Sequence, residues 1–219
     1  VQNGKKMKTD ESSLSDAQEM VISLTLVFSG LLSVVGSSLI LNLFFKTKCK
    51  DPCRRLLAIM SFWDIIYSIQ IMLQPYLAPA ETSQLVWAVG NDRTCSALGF
   101  FNQASFAAFW YSGFLSLYYV LTIRAGMSPE RFAKRVEPWC HILSNGYPLI
   151  TAIIGAALGV YRESELVTGC WVNEWPENCG PGPTQTGETC YSVLVAWIFA
   201  GIPVTFLFLW VMVNNILIY

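Results

Sequence analysis

Four stretches of this chain, residues 20–45, 95–123, 138–161 and 191–219, contain no Asp, Glu, Lys or Arg, and a fifth, 56–78, is broken only by Asp64. Each is at least as long as the roughly 20 residues an α-helix needs to cross a hydrocarbon core. In lipid the backbone must satisfy its own hydrogen bonds, so uninterrupted apolar runs of this length fold as helices. Charged residues make up 13% of the chain, against about 25% in a soluble domain, and they fall between the runs. The expected fold is all-α, a polytopic transmembrane helical bundle with five spans at about 20–45, 56–78, 95–123, 138–161 and 191–219. Residues 1–19 mix lysines, acids and serines and are expected to be a disordered tail, without the short apolar core and cleavage site of a signal peptide. Residues 20–219 then form one membrane domain.

Inside the spans, polar residues are few enough to be weighed singly. Asp64 lies eight residues into its run, about 12 Å from the end at about 1.5 Å per residue. That depth is near the middle of a core about 30 Å thick. A charge there costs at least about 2.5 kcal/mol on insertion scales, so Asp64 is expected to face the bundle as a polar switch or a satisfied structural group. Asn42, near one end of the first run, reads as a helix-packing polar residue. Gln70, Gln74 and Pro75 make the far half of the second run polar and bent, and Pro203 places a second bend near the middle of the fifth. The third run is rich in small residues (Ala104, Ser105, Ala107, Ala108, Ser112, Gly113, Ser116), as are positions 30–38 of the first, and both patterns predict close helix packing. Gly155-x-x-x-Gly159 reads as a packing motif of the same kind. His141 has no Cys or carboxylate partner at ligand spacing, so no metal site is expected. Ser128-Pro129-Glu130 predicts a short surface helix, with an N-cap serine, proline at the first position and an acid on the positive end of the dipole.

Positive charge sets the sidedness. The connections 46–55 and 124–137 hold nine Lys/Arg, and 79–94 and 162–190 hold two, Arg93 and Arg162. By the positive-inside rule the N-terminus is outside. The cysteines divide the same way: Cys95, Cys170, Cys179 and Cys190 fall outside, where disulfides persist, and Cys49, Cys53 and Cys140 inside, where thiols stay reduced. Four outer cysteines allow three pairings; Cys95–Cys170 with Cys179–Cys190 is favoured, because the second pair closes a local Gly/Pro loop.

Several segments together resemble the seven-span G-protein-coupled receptor superfamily: GSSLILNLFFK (36–46), RRLLAIMSFWDIIYSI (54–69), Trp87-x-x-Gly90, Cys95 heading the third run, Cys170-Trp171, Pro203 and VNNILIY (213–219). Within it the chain is most similar to the cyclic-AMP-receptor-like and secretin-related groups. The resemblance covers spans one to five and implies two more beyond Tyr219. It further implies an extracellular ligand of unknown class, bound among the outer halves of the spans or the loops that carry Trp87, Gly90 and Trp171. A heterotrimeric G protein would meet Arg124, Arg131, Lys134 and Arg135 on the inner face of the plasma membrane. The Asp-Arg-Tyr triplet of rhodopsin-like receptors is absent, and Tyr118-Tyr119-Val-Leu-Thr-Ile-Arg124 stands in its place.

Other classes fit less well. A transporter or channel tends to carry inverted repeats and several intramembrane charges, where Asp64 is alone and no repeat is evident. A five-span accessory membrane protein is the other alternative. Paired carboxylates, His/Glu metal spacing and a Gly-rich phosphate loop are all missing, so no enzyme, cofactor or nucleic-acid partner is expected.

Overall fold

The computed structural model describes residues 16–47, 51–80, 87–164, 169–172 and 193–218. Five helices in it are long and apolar enough to cross a membrane: Ala17–Lys46, Pro52–Leu77, Asp92–Arg124, Glu137–Leu158 and Trp197–Ile218. They are called the first to fifth spans below. The chain is a multi-pass membrane protein, and the expected helical bundle holds.

Local chemistry moves the boundaries from those read off charge alone. The third span starts before Cys95, at Asp92, because Asn91 and Thr94 form a capping box: Asn91 Oδ1 accepts from the Thr94 N–H at 3.1 Å and Thr94 Oγ1 from the Asn91 N–H at 2.8 Å. Those bonds satisfy amides that a helix start would otherwise leave orphaned. The second span begins at Pro52, whose missing N–H costs nothing in the first turn. The fourth ends at Leu158 rather than at 161, since Gly159 adopts φ 66° and closes the helix. The Gly155-x-x-x-Gly159 reading is therefore corrected. Gly155 is a packing position, whereas Gly159 is a left-handed cap that faces open space.

Two spans are not continuous α-helix. The third runs as Asp92–Ser105 and Ala107–Tyr119 and widens into a π-helical turn at Val120–Arg124. The fifth passes from Val193–Ala196 through a π-turn at Trp197–Gly201 into Ile202–Ile218. Pro203 is the second residue after that turn, and Pro75 stands inside the second span near its end. Ser128 caps the short helix Pro129–Arg135, with its Oγ accepting from the Arg131 N–H at 3.3 Å.

The connection after the fourth span adds what an all-helical reading omits, a two-stranded antiparallel hairpin of β1 (Tyr161–Ser164) and β2 (Gly169–Val172) with Glu163 opposite Cys170. The third span is central, packing on the second, the fourth, the fifth and both strands, while the first packs chiefly on the second. Small residues make that position possible: Ala104, Ser105, Ala107, Ala108 and Gly113 of the third span are all buried. Tyr161, 2% exposed, lies against two glycines. A Cβ on Gly99 would stand 2.6 Å from its Cγ, and one on Gly155 2.5 Å from its hydroxyl. Burial pushes the Tyr161 phenol above its ordinary range, so it stays a proton donor, to the Ala152 carbonyl at 3.1 Å. Gly99→Ala should therefore lower stability by about 1–3 kcal/mol through overpacking, read as a lower unfolding midpoint in detergent. An unchanged midpoint would show that the ring can move aside.

Candidate functional site

Polar side chains gather at two levels of the third span. The first is the end where Cys95 and Cys170 are joined by a disulfide, which anchors β2 to the head of the span. Gln74 of the second span accepts from the Cys170 N–H at 3.0 Å. About two turns below Cys95, Gln103, fully buried, binds three elements at once. Its Oε1 accepts from Trp171 Nε1 at 3.1 Å, and its Nε2 donates to Thr151 Oγ1 at 2.9 Å and to the Phe199 carbonyl at 3.0 Å. Phe199 belongs to the π-turn of the fifth span, so one amide ties hairpin, fourth span and fifth span to the third. The connection between spans two and three folds back on this end as well. Trp87 stacks on Tyr76 with ring centroids 5.9 Å apart, and Gly90 bridges to Pro79 so closely to the Leu77 carbonyl that no side chain fits.

At the opposite, basic end the polar contacts run between the second, third and fourth spans. Glu137, His141 and Asn145 follow at intervals of one helical turn, so they share a face of the fourth span. Arg55 grips the Glu137 carboxylate with both arms of its fork, Nε to Oε1 at 2.6 Å and Nη2 to Oε2 at 2.5 Å. His141 Nε2 lies 3.5 Å from the same carboxylate, and its Nδ1 is 2.9 Å from the hydroxyl of Tyr111, which is fully buried. Asn145 Nδ2 donates to Tyr111 Oη at 2.7 Å and to the His141 carbonyl at 2.8 Å. Its Oδ1 accepts from Trp63 Nε1 at 2.9 Å. Nearer the end of the span, Tyr118 donates to Asp51 at 3.4 Å and stands edge-on to the buried ring of Phe132 at 4.9 Å.

Not every residue singled out in the sequence joins these groups. Asp64 is half-buried and Asn42 exposed, and neither side chain has a hydrogen bond or ion pair among the described residues. Arg124 lies in the π-turn and Arg131, Lys134 and Arg135 on the short helix, all four exposed. Cys179, Cys190 and Cys49 lie outside the described residues, where Cys53 and Cys140 are free thiols. Among the described residues no group of three or more His, Cys, Asp or Glu could hold a metal ion. Sequence reasoning missed Gln103, Tyr111, Asn145, Trp63 and the Arg55–Glu137 pair, and the reading of His141 as without a carboxylate at ligand spacing is corrected, since Glu137 lies one turn away and faces it; the one-turn spacing of Glu137, His141 and Asn145 was a legible signal.

No family model matches the chain, and no curated protein matches it by sequence. Among solved structures, the crystal structure of squid rhodopsin is similar, with a TM-score of 0.63 at 14% identity. The likeness covers 95% of this chain and 54% of that one. The chain shares the helical-bundle fold of that structure. It spans about half the length of the rhodopsin chain it matches, and identity this low speaks to fold alone. Within that bundle the disulfide and Gln103 lie toward one end of the central span and the Arg55–Glu137 pair near the other.

Proposed function

We propose that the chain is part of a G-protein-coupled receptor of the plasma membrane, similar to the cyclic-AMP-receptor-like and secretin-related groups, that passes binding of an extracellular ligand to a heterotrimeric G protein. The observation that carries this reading is the rhodopsin-like arrangement of five spans, with the second, fourth and fifth packed on the third. Positive-inside counting puts the N-terminus and the disulfide end outside and the Arg55–Glu137 end inside. The ligand then approaches the hairpin and the Trp87–Gly90 connection, with Cys179–Cys190 as a second outer disulfide. Differential affinity for two span arrangements would shift their populations, with Asp64 and Asn42 as polar groups that sense the shift and Pro75 and Pro203 as bends. On the inner face Arg124, Arg131, Lys134 and Arg135 meet the G protein, to which exposed cations offer electrostatic steering.

The test is nucleotide exchange by a purified heterotrimer added to the protein in lipid vesicles. Reversing Arg131, Lys134 and Arg135 to glutamate should reduce the receptor-stimulated rate about tenfold or more, with surface expression unchanged. Equal rates for the two proteins would remove these residues from the coupling surface, and no stimulation of any common heterotrimer would remove the receptor reading.

A further inference from the structure

The ring of side chains at the basic end has a direction, and the direction follows from which atoms own protons. Trp63 Nε1 is a donor only, so the Asn145 atom 2.9 Å away must be its oxygen. The His141 carbonyl is an acceptor only, so the Asn145 atom facing it must be the amide nitrogen. The amide orientation is thus fixed twice over. Its two hydrogens are spent on the His141 carbonyl and on Tyr111 Oη. Tyr111 therefore receives from Asn145 and has its own hydrogen left to give, and the described acceptor within reach is His141 Nδ1 at 2.9 Å. Nδ1 must then be unprotonated. The imidazole is neutral and carries its proton on Nε2, which faces Glu137 Oε1 at 3.5 Å.

We propose that His141 is a proton-linked latch between the third and fourth spans, held as the neutral Nε2–H tautomer while Tyr111 is seated and free to take a second proton when Tyr111 leaves. A proton on Nδ1 would turn that atom from acceptor to donor and leave the buried Tyr111 hydroxyl hydrogen without a partner. Seating Tyr111 and protonating Nδ1 therefore oppose one another. By linkage a proton favours the arrangement in which the third span has moved off the fourth, and movement of the third span favours proton uptake. Glu137 on the same helix and Arg55 behind it are the charges that face the imidazole, and both remain when Tyr111 leaves. The short helix packed on the fourth span brings Glu130, Arg131, Lys134 and Arg135, all exposed, and the described part of the fifth span contains no titratable side chain. The latch depends on this ring alone, so it stands or falls separately from coupling to a G protein.

The chain contains one histidine, which makes the test direct. The full chain, carrying no histidine tag, is labelled with 15N-histidine, placed in lipid nanodiscs and titrated by NMR. The wild type should show a single neutral tautomer with protonated Nε2 and bare Nδ1. Tyr111→Phe, which keeps the ring of carbons and deletes the hydroxyl, should mix the tautomers and take the second proton about three- to tenfold more tightly. Should that variant fail to fold, Asn145→Ala serves in its place: with no amide donating to Tyr111 Oη, the hydroxyl can accept from Nδ1–H as readily as donate to it, and the pure tautomer should likewise be lost. An Nδ1–H tautomer in the wild type, or a titration that neither variant moves, would overturn the latch.

Discussion

Arg55→Met should destabilise the bundle by about 3 kcal/mol, at the lower edge of the cost of stripping one partner from a buried ion pair. The loss is asymmetric because the two partners are not equally covered. The Glu137 side chain is 7% exposed and that of Arg55 32%. Removing the guanidinium strands a covered carboxylate that accepted two hydrogen bonds and leaves it only the more distant His141. Glu137→Gln should cost less, since Arg55 can turn its fork toward water or lipid headgroups. The double variant Arg55→Met/Glu137→Gln should recover most of the loss, because no charge is then left behind. Unfolding free energies of the four proteins in mixed micelles form the cycle. If Glu137→Gln proves the costlier single change, or the double variant is as poor as Arg55→Met, the pair is not buried in the sense argued.

At the disulfide end, Gln103→Leu should cost a comparable amount, about 3 kcal/mol, as two buried groups lose their partners at about 1–3 kcal/mol each. These are the Trp171 indole N–H and the Phe199 carbonyl. Thr151 suffers less, because its hydroxyl also donates to the Tyr147 carbonyl at 2.9 Å. Thr151→Val, which takes one of two acceptors from Gln103 Nε2 and an extra donor from the Tyr147 carbonyl, should therefore cost about 1 kcal/mol. Hydrogen exchange separates this from a general loss of stability. Gln103→Leu should speed exchange in the hairpin and in the π-turn of the fifth span together, since one side chain holds both. Faster exchange in only one of them would mean that Gln103 does not couple them.

How much of this could be read beforehand differs by element. Span number, approximate position and the crossing of a membrane follow from composition along the chain. A helix is the solution a chain segment reaches alone in lipid, with no knowledge of its neighbours. Helix ends were legible where a residue type forces them, as Ser128-Pro129 forces the start of the short helix. They were misjudged where charge was taken as the boundary: Asp92 and Arg93 sit inside the third span because the capping box, not the last charge, sets its start.

The polar sites divide along a different line. Asp64 stood out in the sequence because a lone charge in an apolar run is conspicuous, yet its side chain has no hydrogen bond or ion pair among the described residues. Gln103 and Tyr111 are ordinary residues in membrane helices with nothing local to mark them, and Asn145 was marked only by its one-turn spacing from His141. Their importance comes from what stands opposite, on spans separated by up to 96 positions in the chain. Gly155 and Gly159 make the same point in small, since identical residues one turn apart became a packing surface and a cap according to whether Tyr161 came to lie against them. The sequence by itself determined five apolar helices, because hydrogen bonding within a helix is a local property. Only the tertiary structure decided which buried donors met which acceptors, because that depends on the rotation and depth at which the helices pack.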